Sequence, residues 1–306
     1  MSLGVTLCGI PLANPIIAAS GTFAYGVEFA SIVDLNSVGG FVVKGLSREP
    51  MDGNRPPRIW EASAGMINSI GLQNIGVRAF VADKLTQLTS VRAAIFANVF
   101  GFEISDYEEV IRVLEDAPGV AGYELNVSCP NTKHGGILFS ADPQLLGEVV
   151  TAAKRVAKSR PLIVKLSPNV GSIAVFARAA EEAGADAISL VNTFVSLAID
   201  ARTRKPRIGA GFGGLSGPAI KPIALRMVYE ASKAVKIPVI GLGGISSGED
   251  AAEFMIAGAT AVEVGTANFW DPEATVRIAR ELDEFLTSEK IARAADLTGT
   301  LQFPVK

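Results

Sequence analysis

The chain has 306 residues, of which 49% are hydrophobic and 19% charged, and its formal net charge is −3. This composition is typical of a folded protein with a large core and excludes a mostly disordered chain. The slight acidity provides no overall attraction for nucleic acid or for an anionic membrane surface, so we expect no nucleic-acid partner and no membrane partner.

Two cysteines, Cys8 and Cys129, are too few for a disulfide framework or an iron–sulfur ligand set, and a reducing cytoplasm is the expected location. We interpret Cys8 as small apolar filler of the core. The first nine residues lack the pattern of a signal peptide, and no segment reaches the ~18 apolar residues of a membrane span. Export and membrane anchoring are therefore not expected.

Short β-branched segments alternate along the chain with amphipathic segments, which is the pattern of βα units around a parallel sheet. The predicted strands are Pro15–Ser20, Gly40–Lys44, Ala93–Asn98, Gly122–Asn126, Pro161–Leu166, Ala187–Asn192, Pro238–Gly243 and Ala261–Gly265. The predicted helices are Asp106–Glu115, Pro143–Lys158, Ser172–Ala183, Ile220–Val235, Gly248–Ala257 and Pro272–Thr287.

Helix boundaries carry their own signals. Pro143 and Pro218 stand where helices begin, and Gly184 and Gly258 follow helices where a left-handed residue is expected. Eight strand segments without a dividing linker predict an α/β fold, a (β/α)8 TIM barrel, as a single domain over residues 1–306 with residues 1–14 preceding the barrel. Length alone would also allow two domains of about 150 residues.

Two predicted connections are unusually long, from Gly45 to about Asn74 and from Thr193 to about Gly217. Both follow strands, so we expect them at the carboxyl-end face, where barrels place active sites. The second contains the basic segment Arg202–Arg207, whose contact with solvent or with a partner stays open. It also contains Gly209–Gly214 (GAGFGG), which follows no strand and is interpreted as a flexible loop rather than a dinucleotide site.

Five predicted strands end in lysine or asparagine: Lys44, Asn98, Asn126, Lys165 and Asn192. Turn formation alone explains one or two such residues. All five together predict a site for an anionic ligand rich in carbonyl and ring-nitrogen groups.

The last two strands end differently, in Gly243-Gly244 and Gly265-Thr266, with helices expected to begin near Gly248 and Asp271. Glycines before a helix allow backbone N–H groups to approach a phosphate, so these ends predict a phosphate site. Tight turns that need glycine are the alternative.

Cys129 lies directly after the fourth predicted strand, within Asn126–Asn131 (NVSCPN). A free thiol titrates at about 8.5 and can accept a proton near neutrality, so Cys129 is a candidate general base, with apolar filler as the alternative. His134, the only histidine, is interpreted as a solvated loop residue. No cluster of His, Cys and carboxylates has metal-site spacing, and no metal is expected.

The sequence resembles the dihydroorotate dehydrogenase family over nearly its whole length. The residues that carry this resemblance are Asn126–Asn131 (NVSCPN), Met66–Asn74 (MINSIGLQN), Val164–Pro168 (VKLSP), Asn192-Thr193, Gly214–Pro222 (GLSGPAIKP), Gly241–Ile245 (GLGGI) and Glu263–Asn268 (EVGTAN).

The resemblance implies an FMN-containing barrel that oxidises (S)-dihydroorotate to orotate in de novo pyrimidine (UMP) biosynthesis. In the family, a base in the loop after strand four takes the C5 proton while a hydride leaves C6 for flavin N5. Soluble members use cysteine as this base, so Cys129 matches the soluble class.

The resemblance also implies binding residues. Those expected to bind the pyrimidine are Lys44, Asn68, Ser69, Ile70, Gly71, Leu72, Asn126, Asn192 and Thr193. Those expected to bind FMN are Ser20, Lys44, Gly45, Asn98, Asn126, Lys165, Val191, Gly217, Gly243, Gly244, Gly265 and Thr266. Lys165 is expected near the electron-accepting end of the flavin ring.

Within the soluble class, single-subunit fumarate-linked members tend to have proline where this chain has Gln73, so the NAD-linked heteromeric class is the closer match. It implies a homodimer of this chain with two electron-transfer subunits that carry FAD and a [2Fe–2S] cluster. A fumarate-linked enzyme is the alternative. Two further hypotheses are a flavin-free phosphate-binding lyase with Lys44 or Lys165 as a Schiff-base amine, and a non-catalytic FMN-binding subunit.

Overall fold

A closed barrel of eight parallel strands organises the chain, whose computed structural model describes residues 2–128, 130–131 and 137–304. Each strand pairs with the next in the chain, and the last pairs with the first, so the sheet has no free edge. The strands are β1 (Ile16–Ala18), β2 (Gly40–Val42), β3 (Ala94–Val99), β4 (Gly122–Asn126), β5 (Leu162–Lys165), β6 (Ala187–Leu190), β7 (Val239–Leu242) and β8 (Ala261–Val264). The predicted (β/α)8 barrel is confirmed.

Six long helices lie outside the barrel and bury their apolar faces against it. They are α1 (Ile104–Glu115), α2 (Pro143–Val156), α3 (Ile173–Glu182), α4 (Lys221–Ala234), α5 (Gly248–Ile256) and α6 (Ala274–Ser288). Helix α1 begins two residues before its predicted start, because Glu103 and Asp106 form a capping box there. Gly184 and Gly258 have φ values of 98° and 124°, which confirms that both end helices in the left-handed region.

An irregular helical segment over residues 77–88 connects β2 and β3 and was not predicted. It passes from a short α-helix (Val77–Ala79) through a π-helical turn (Phe80–Lys84) to a 3-10 helix (Leu85–Leu88). Its buried apolar residues are Val77, Phe80, Leu85 and Leu88, with spacings of three, five and three. This spacing departs from the regular helical repeat, so the segment has no clear periodic signal.

The two long connections form one antiparallel sheet, the accessory sheet, beside the barrel mouth. Its strands pair in the order Phe194–Ser196, Gly213–Ser216, Gly65–Asn68 and Ile59–Ala62. The interpretation of Gly209–Gly214 as a flexible loop was therefore wrong for its last two residues. A Cβ atom on Gly214 would lie 2.0 Å from Thr193 Oγ1, so glycine at this position allows the two strands to pair closely.

A short antiparallel hairpin, Val5–Leu7 with Ile10–Leu12, packs at the opposite, amino end of the barrel. Cys8 lies in the turn of this hairpin and is half-buried. It is therefore not enclosed in the core, contrary to the prediction that it is core filler. Its Sγ donates to the carbonyl of Asp186, 3.3 Å away and directly before β6. Burial is the main cause that raises the pKa of this thiol to about 11.

Among the described residues, no helix combines the length and the apolar character needed to cross a membrane. The apolar side chains instead form one continuous core that extends from the barrel interior to the inner faces of the helices. The division into one domain over residues 1–306 stays a prediction.

Candidate active site

A cavity of about 1230 Å³ lies at the carboxyl ends of the barrel strands, beside the sheet made by the two long connections. Every described residue that the sequence assigned to substrate or cofactor lines it. These residues are Ser20, Lys44, Gly45, Asn68, Ser69, Ile70, Gly71, Leu72, Asn98, Asn126, Lys165, Val191, Asn192, Thr193, Gly217, Gly243, Gly244, Gly265 and Thr266. The predicted base Cys129 and the predicted solvated residue His134 lie outside the described residues.

Lys44 follows β2 and brings an ammonium group to the cavity wall. Within residues 2–128, 130–131 and 137–304, no carboxylate forms an ion pair with it. Burial, with a smaller contribution from the nearby charge of Arg58, lowers the pKa of Lys44 below the usual lysine value. A partly desolvated cation without a partner favours an anionic ligand at this point of the cavity.

Three asparagine side chains around the cavity are held by local hydrogen bonds. Asn126 Oδ1 accepts from the backbone N–H of Ser128 at 3.1 Å. Asn192 Nδ2 donates to Ser128 Oγ at 3.1 Å, while its Oδ1 accepts from Thr193 N–H at 2.8 Å. Asn68 Nδ2 donates to the Gly214 carbonyl at 3.4 Å, across the accessory sheet. These bonds orient amides that can donate to and accept from a polar ring.

Lys165 ends β5 and belongs to a buried charged cluster at the cavity floor. Its Nζ lies 3.2 Å from Glu124 Oε1 and 3.0 Å from Glu263 Oε2. The two carboxyl groups raise the pKa of Lys165 above its ordinary value despite desolvation, so the side chain is a fixed cation at neutral pH.

Glu124 and Glu263 are the functional candidates that the sequence interpretation missed. Each stands inside an otherwise apolar strand, in YELN and AVEV, where a fully buried carboxyl group is costly without partners. Their strands are parallel barrel strands, and alternate residues point to the barrel interior. A glutamate two residues before Asn126 therefore shares its side of the strand, which is the signal that could have identified Glu124.

Glycines shape the cavity near β7 and β8. Gly243 and Gly244 have φ values of 127° and 84°, in the region that favours glycine. The helix predicted to start near Asp271 is α6, which begins at Ala274, and an additional short helix that was not predicted, Ala267–Trp270, follows Thr266 directly. The predicted start of α5 at Gly248 is confirmed, but Gly248 N–H donates to Glu281 Oε2 at 2.8 Å and Asp250 N–H donates to Ser247 Oγ at 3.1 Å. These two amides of α5 are thus already used within the chain.

The basic segment Arg202–Arg207 supplies the turn and the second strand of a short hairpin in which Ile199–Asp200 pairs with Lys205–Pro206, and residues 202–206 are exposed. Its last arginine contacts this same chain. The Arg207 guanidinium lies 4.1 Å from the centre of the Trp60 ring and 3.4 Å from an oxygen of Asp200. A cation over an aromatic face is stabilising, so Arg207 fixes the hairpin to the sheet.

Comparison with known proteins shows the family to which the chain is similar. The family described as Dihydroorotate dehydrogenase matches residues 2–286. A Solibacter usitatus protein is 73% identical over 98% of this chain and 99% of its own length, and its name assigns it provisionally to dihydroorotate dehydrogenase A (fumarate).

Other relatives have names that specify a different electron acceptor. The Pelobacter propionicus protein is 52% identical over 97% of this chain and 98% of its own length. The Geobacter sulfurreducens protein is 51% identical over 98% of each chain. Both are named dihydroorotate dehydrogenase B (NAD(+)), catalytic subunit. The names of these relatives thus agree on the substrate and differ in the acceptor.

Proposed function

This chain belongs to the dihydroorotate dehydrogenase family, and from that membership we propose that it oxidises (S)-dihydroorotate to orotate with FMN and passes the electrons to NAD through a partner subunit. The observation that carries this proposal is the cavity at the carboxyl ends of the strands. It is lined by all the described residues that the sequence assigned to the pyrimidine and to the flavin.

FMN fits the residues that line the cavity. Gly243-Gly244 and Gly265-Thr266 would hold the phosphate, because glycine allows a close approach of the backbone. Asn98 and Lys165 would lie beside the ring, with Ser20, Gly45, Val191 and Gly217 completing its binding site. When bound, FMN supplies the acceptor for the hydride that leaves C6 of the substrate.

The same cavity offers complementary groups to dihydroorotate. Lys44, whose ammonium has no ion-pair partner among the described residues, would bind the substrate carboxylate through a charge-assisted hydrogen bond. Asn68, Asn126 and Asn192 would bind the ring carbonyl and N–H groups, since an amide both donates and accepts. Ser69 to Leu72 and Thr193 would complete the substrate site. Binding on several sides would hold the ring still for reaction.

We assign the removal of the C5 proton to Cys129. The described residue just before it, Ser128, lines the cavity, and its Oγ accepts from Asn192. This contact supports the assignment, because it joins the residue directly before Cys129 to Asn192, which is proposed to bind the substrate. In the proposed step, Cys129 Sγ takes the C5 proton as the hydride leaves C6, and the ring gains its double bond.

NAD as final acceptor is supported by the relatives named as NAD-linked catalytic subunits. We propose a homodimer of this chain with two subunits that carry FAD and a [2Fe–2S] cluster, since two cysteines cannot supply a cluster's ligands. The second candidate is a fumarate-linked enzyme, which the name of the 73% identical relative favours. The cytoplasmic location stays a prediction.

Orotate formation by the purified protein tests the proposed reaction. We expect release of FMN on denaturation and conversion of dihydroorotate to orotate with an artificial electron acceptor. Cys129→Ala should slow the conversion by about 10²–10⁴-fold at neutral pH, the usual contribution of a general base. A protein without flavin, or conversion unaffected by Cys129→Ala, would contradict the corresponding assignment.

Acceptor use separates the two candidate enzymes. The substrate-reduced chain should be reoxidised by NAD only when the electron-transfer subunit is present, and fumarate should have little effect. Rapid reoxidation of the isolated chain by fumarate would instead establish the fumarate-linked enzyme. Trapping of Lys44 or Lys165 by borohydride with a carbonyl substrate would favour the flavin-free lyase.

A further inference from the structure

The charged cluster at the cavity floor contains two carboxyl groups and one ammonium group, although one carboxylate would be enough to neutralise the lysine. Glu124, Lys165 and Glu263 are 0%, 6% and 1% exposed. Both carboxyl groups lie within hydrogen-bond distance of the same Lys165 ammonium. Since a buried charge is costly, a second carboxyl group at one ammonium requires an explanation.

The two glutamates hold different positions relative to the cavity. Lys165 and Glu263 line it, whereas Glu124 lies behind them. Glu124 also accepts more hydrogen bonds from protein side chains than Glu263 does. Asn98 Nδ2 donates to its Oε1 at 2.6 Å, and Ser189 Oγ donates to its Oε2 at 2.8 Å. With Lys165, three donors stabilise the ionised form of Glu124.

Electrostatic repulsion indicates that one of these two carboxyl groups is protonated. Two carboxyl groups in hydrogen-bond contact inside a protein rarely ionise together, because like charges repel strongly at low dielectric. Although burial alone would raise the pKa of Glu124, the charge of Lys165 and the hydrogen bonds from Asn98 and Ser189 lower it below its usual value. Burial and the charge of Glu124 raise the pKa of Glu263 well above its usual range. The anion is therefore behind the lysine, and the neutral acid faces the cavity.

We propose that Glu124 and Glu263 are positioning residues for Lys165, with Glu124 anchoring the ammonium from behind and Glu263 keeping negative charge out of the cavity wall. This inference rests on the proposed function. A ring that accepts a hydride gains one negative charge, and a fixed cation beside it stabilises that charge. The arrangement of the two glutamates thus favours reduced over oxidised FMN.

The midpoint potential of FMN on the holoenzyme tests this inference without turnover, because it reports the ratio of the affinities for reduced and oxidised FMN. In Glu124→Gln the remaining carboxyl group, Glu263, would ionise beside Lys165, which moves the negative charge into the cavity wall. We expect the affinity ratio to fall at least about tenfold, which lowers the two-electron potential by about 30 mV.

Glu263→Gln is the matched variant at the other carboxyl group. A glutamine side chain resembles the neutral acid and can still donate to Glu124, so the anion stays behind the lysine. We therefore expect a clearly smaller shift of the potential than in Glu124→Gln. Glu148→Gln, an exposed change on α2, is the control for a glutamate lost far from the cavity.

Ser189→Ala is the second variant if Glu124→Gln fails to fold. It removes one donor from Glu124 without touching the cavity wall, and should lower the potential in the same direction by less. A potential that Glu124→Gln and Ser189→Ala leave unchanged would overturn the inference, as would a larger shift in Glu263→Gln. Proteins that contain no FMN at all would instead contradict the proposed function.

Discussion

Lys44 is the residue whose electrostatic state bears most directly on substrate binding. Its ammonium has no carboxylate partner within the described parts of the chain, and burial lowers its pKa. A hydrogen bond from a charged group contributes about 1.5–3 kcal/mol. The site therefore has a strong preference for an anion before any ligand binds.

Lys44→Met should weaken orotate binding by roughly 10- to 150-fold, since about 1.4 kcal/mol corresponds to a tenfold change in Kd. Titration of the FMN absorbance with orotate measures this Kd. Lys158→Met, at an exposed lysine just after α2, is the matched control and should leave the affinity unchanged. Equal affinities of the Lys44→Met protein and the parent would show that another group binds the carboxylate.

The lowered pKa of Lys44 also sets the pH dependence of binding. Below this pKa the ammonium is present, and as pH rises through it the charge and its contribution to orotate binding are lost. An exposed lysine has a pKa of about 10.4, and the pKa of Lys44 is lower. The affinity for orotate should therefore begin to fall at a lower pH than that at which exposed lysines titrate. Orotate Kd values across the alkaline range would reveal it. Affinity that weakens only where exposed lysines titrate would contradict the assignment.

At the scale of elements, the accessory sheet depends on glycine where the strand Gly213–Ser216 passes Thr193, which directly precedes the neighbouring strand Phe194–Ser196. A Cβ atom on Gly214 would lie 2.6 Å from Thr193 Cβ, which a β-branched side chain cannot relieve by rotation. Gly214→Ala should lower the free energy of unfolding by about 1–3 kcal/mol through overpacking. Because Asn68 and Thr193 adjoin this contact, orotate binding should weaken as well.

Gly147→Ala is the control for this prediction. Gly147 lies inside α2, and a Cβ atom added there meets nothing within 4 Å. Replacing glycine in a helix interior by alanine should raise stability by roughly 0.5–1 kcal/mol. Urea denaturation midpoints measure both variants. A stable Gly214→Ala protein with normal orotate affinity would mean that the sheet yields locally without affecting the site.

Local sequence patterns predicted the elements whose apolar residues are regularly spaced. Elements that lack such spacing and depend on pairing with a distant part of the chain were not predicted. The eight barrel strands carry short apolar segments between turns, and α1 to α6 carry helical periodicity, so both classes were found to within a few residues. The strand Gly213–Ser216 is half glycine, and it pairs on one side with Phe194–Ser196 and on the other with Gly65–Asn68, which is far away in sequence. No local pattern contains that contact.

The same limit applies within the site. Lys44 and Lys165 were found because they end strands, and this position alone places them at the barrel mouth. The partners of Lys165 come from β4 and β8, so their convergence requires the closed barrel. The protonation pattern of Glu124 and Glu263 further depends on donors from β3 and β6, which sequence spacing does not pair with them.

At the scale of the whole molecule, FMN should stabilise the barrel, since the residues proposed to bind it come from the carboxyl ends of the barrel strands and from the loops that follow them. A ligand at 100 times its Kd adds about 2.7 kcal/mol to the free energy of unfolding. Addition of FMN to the flavin-free chain should therefore raise the Tm by several degrees, and riboflavin, which lacks the phosphate, by less. Equal protection by both would contradict the phosphate site at the glycine pairs.

In the proposed reaction, dihydroorotate gives its electrons to a flavin held in this cavity. The most direct measurement is an anaerobic titration of the purified FMN-loaded protein with dihydroorotate, followed by the flavin absorbance. We expect complete bleaching with about one equivalent of substrate per FMN, and formation of orotate in the same amount, since one hydride reduces one flavin. A flavin that binds in the cavity and stays oxidised in excess dihydroorotate would contradict it.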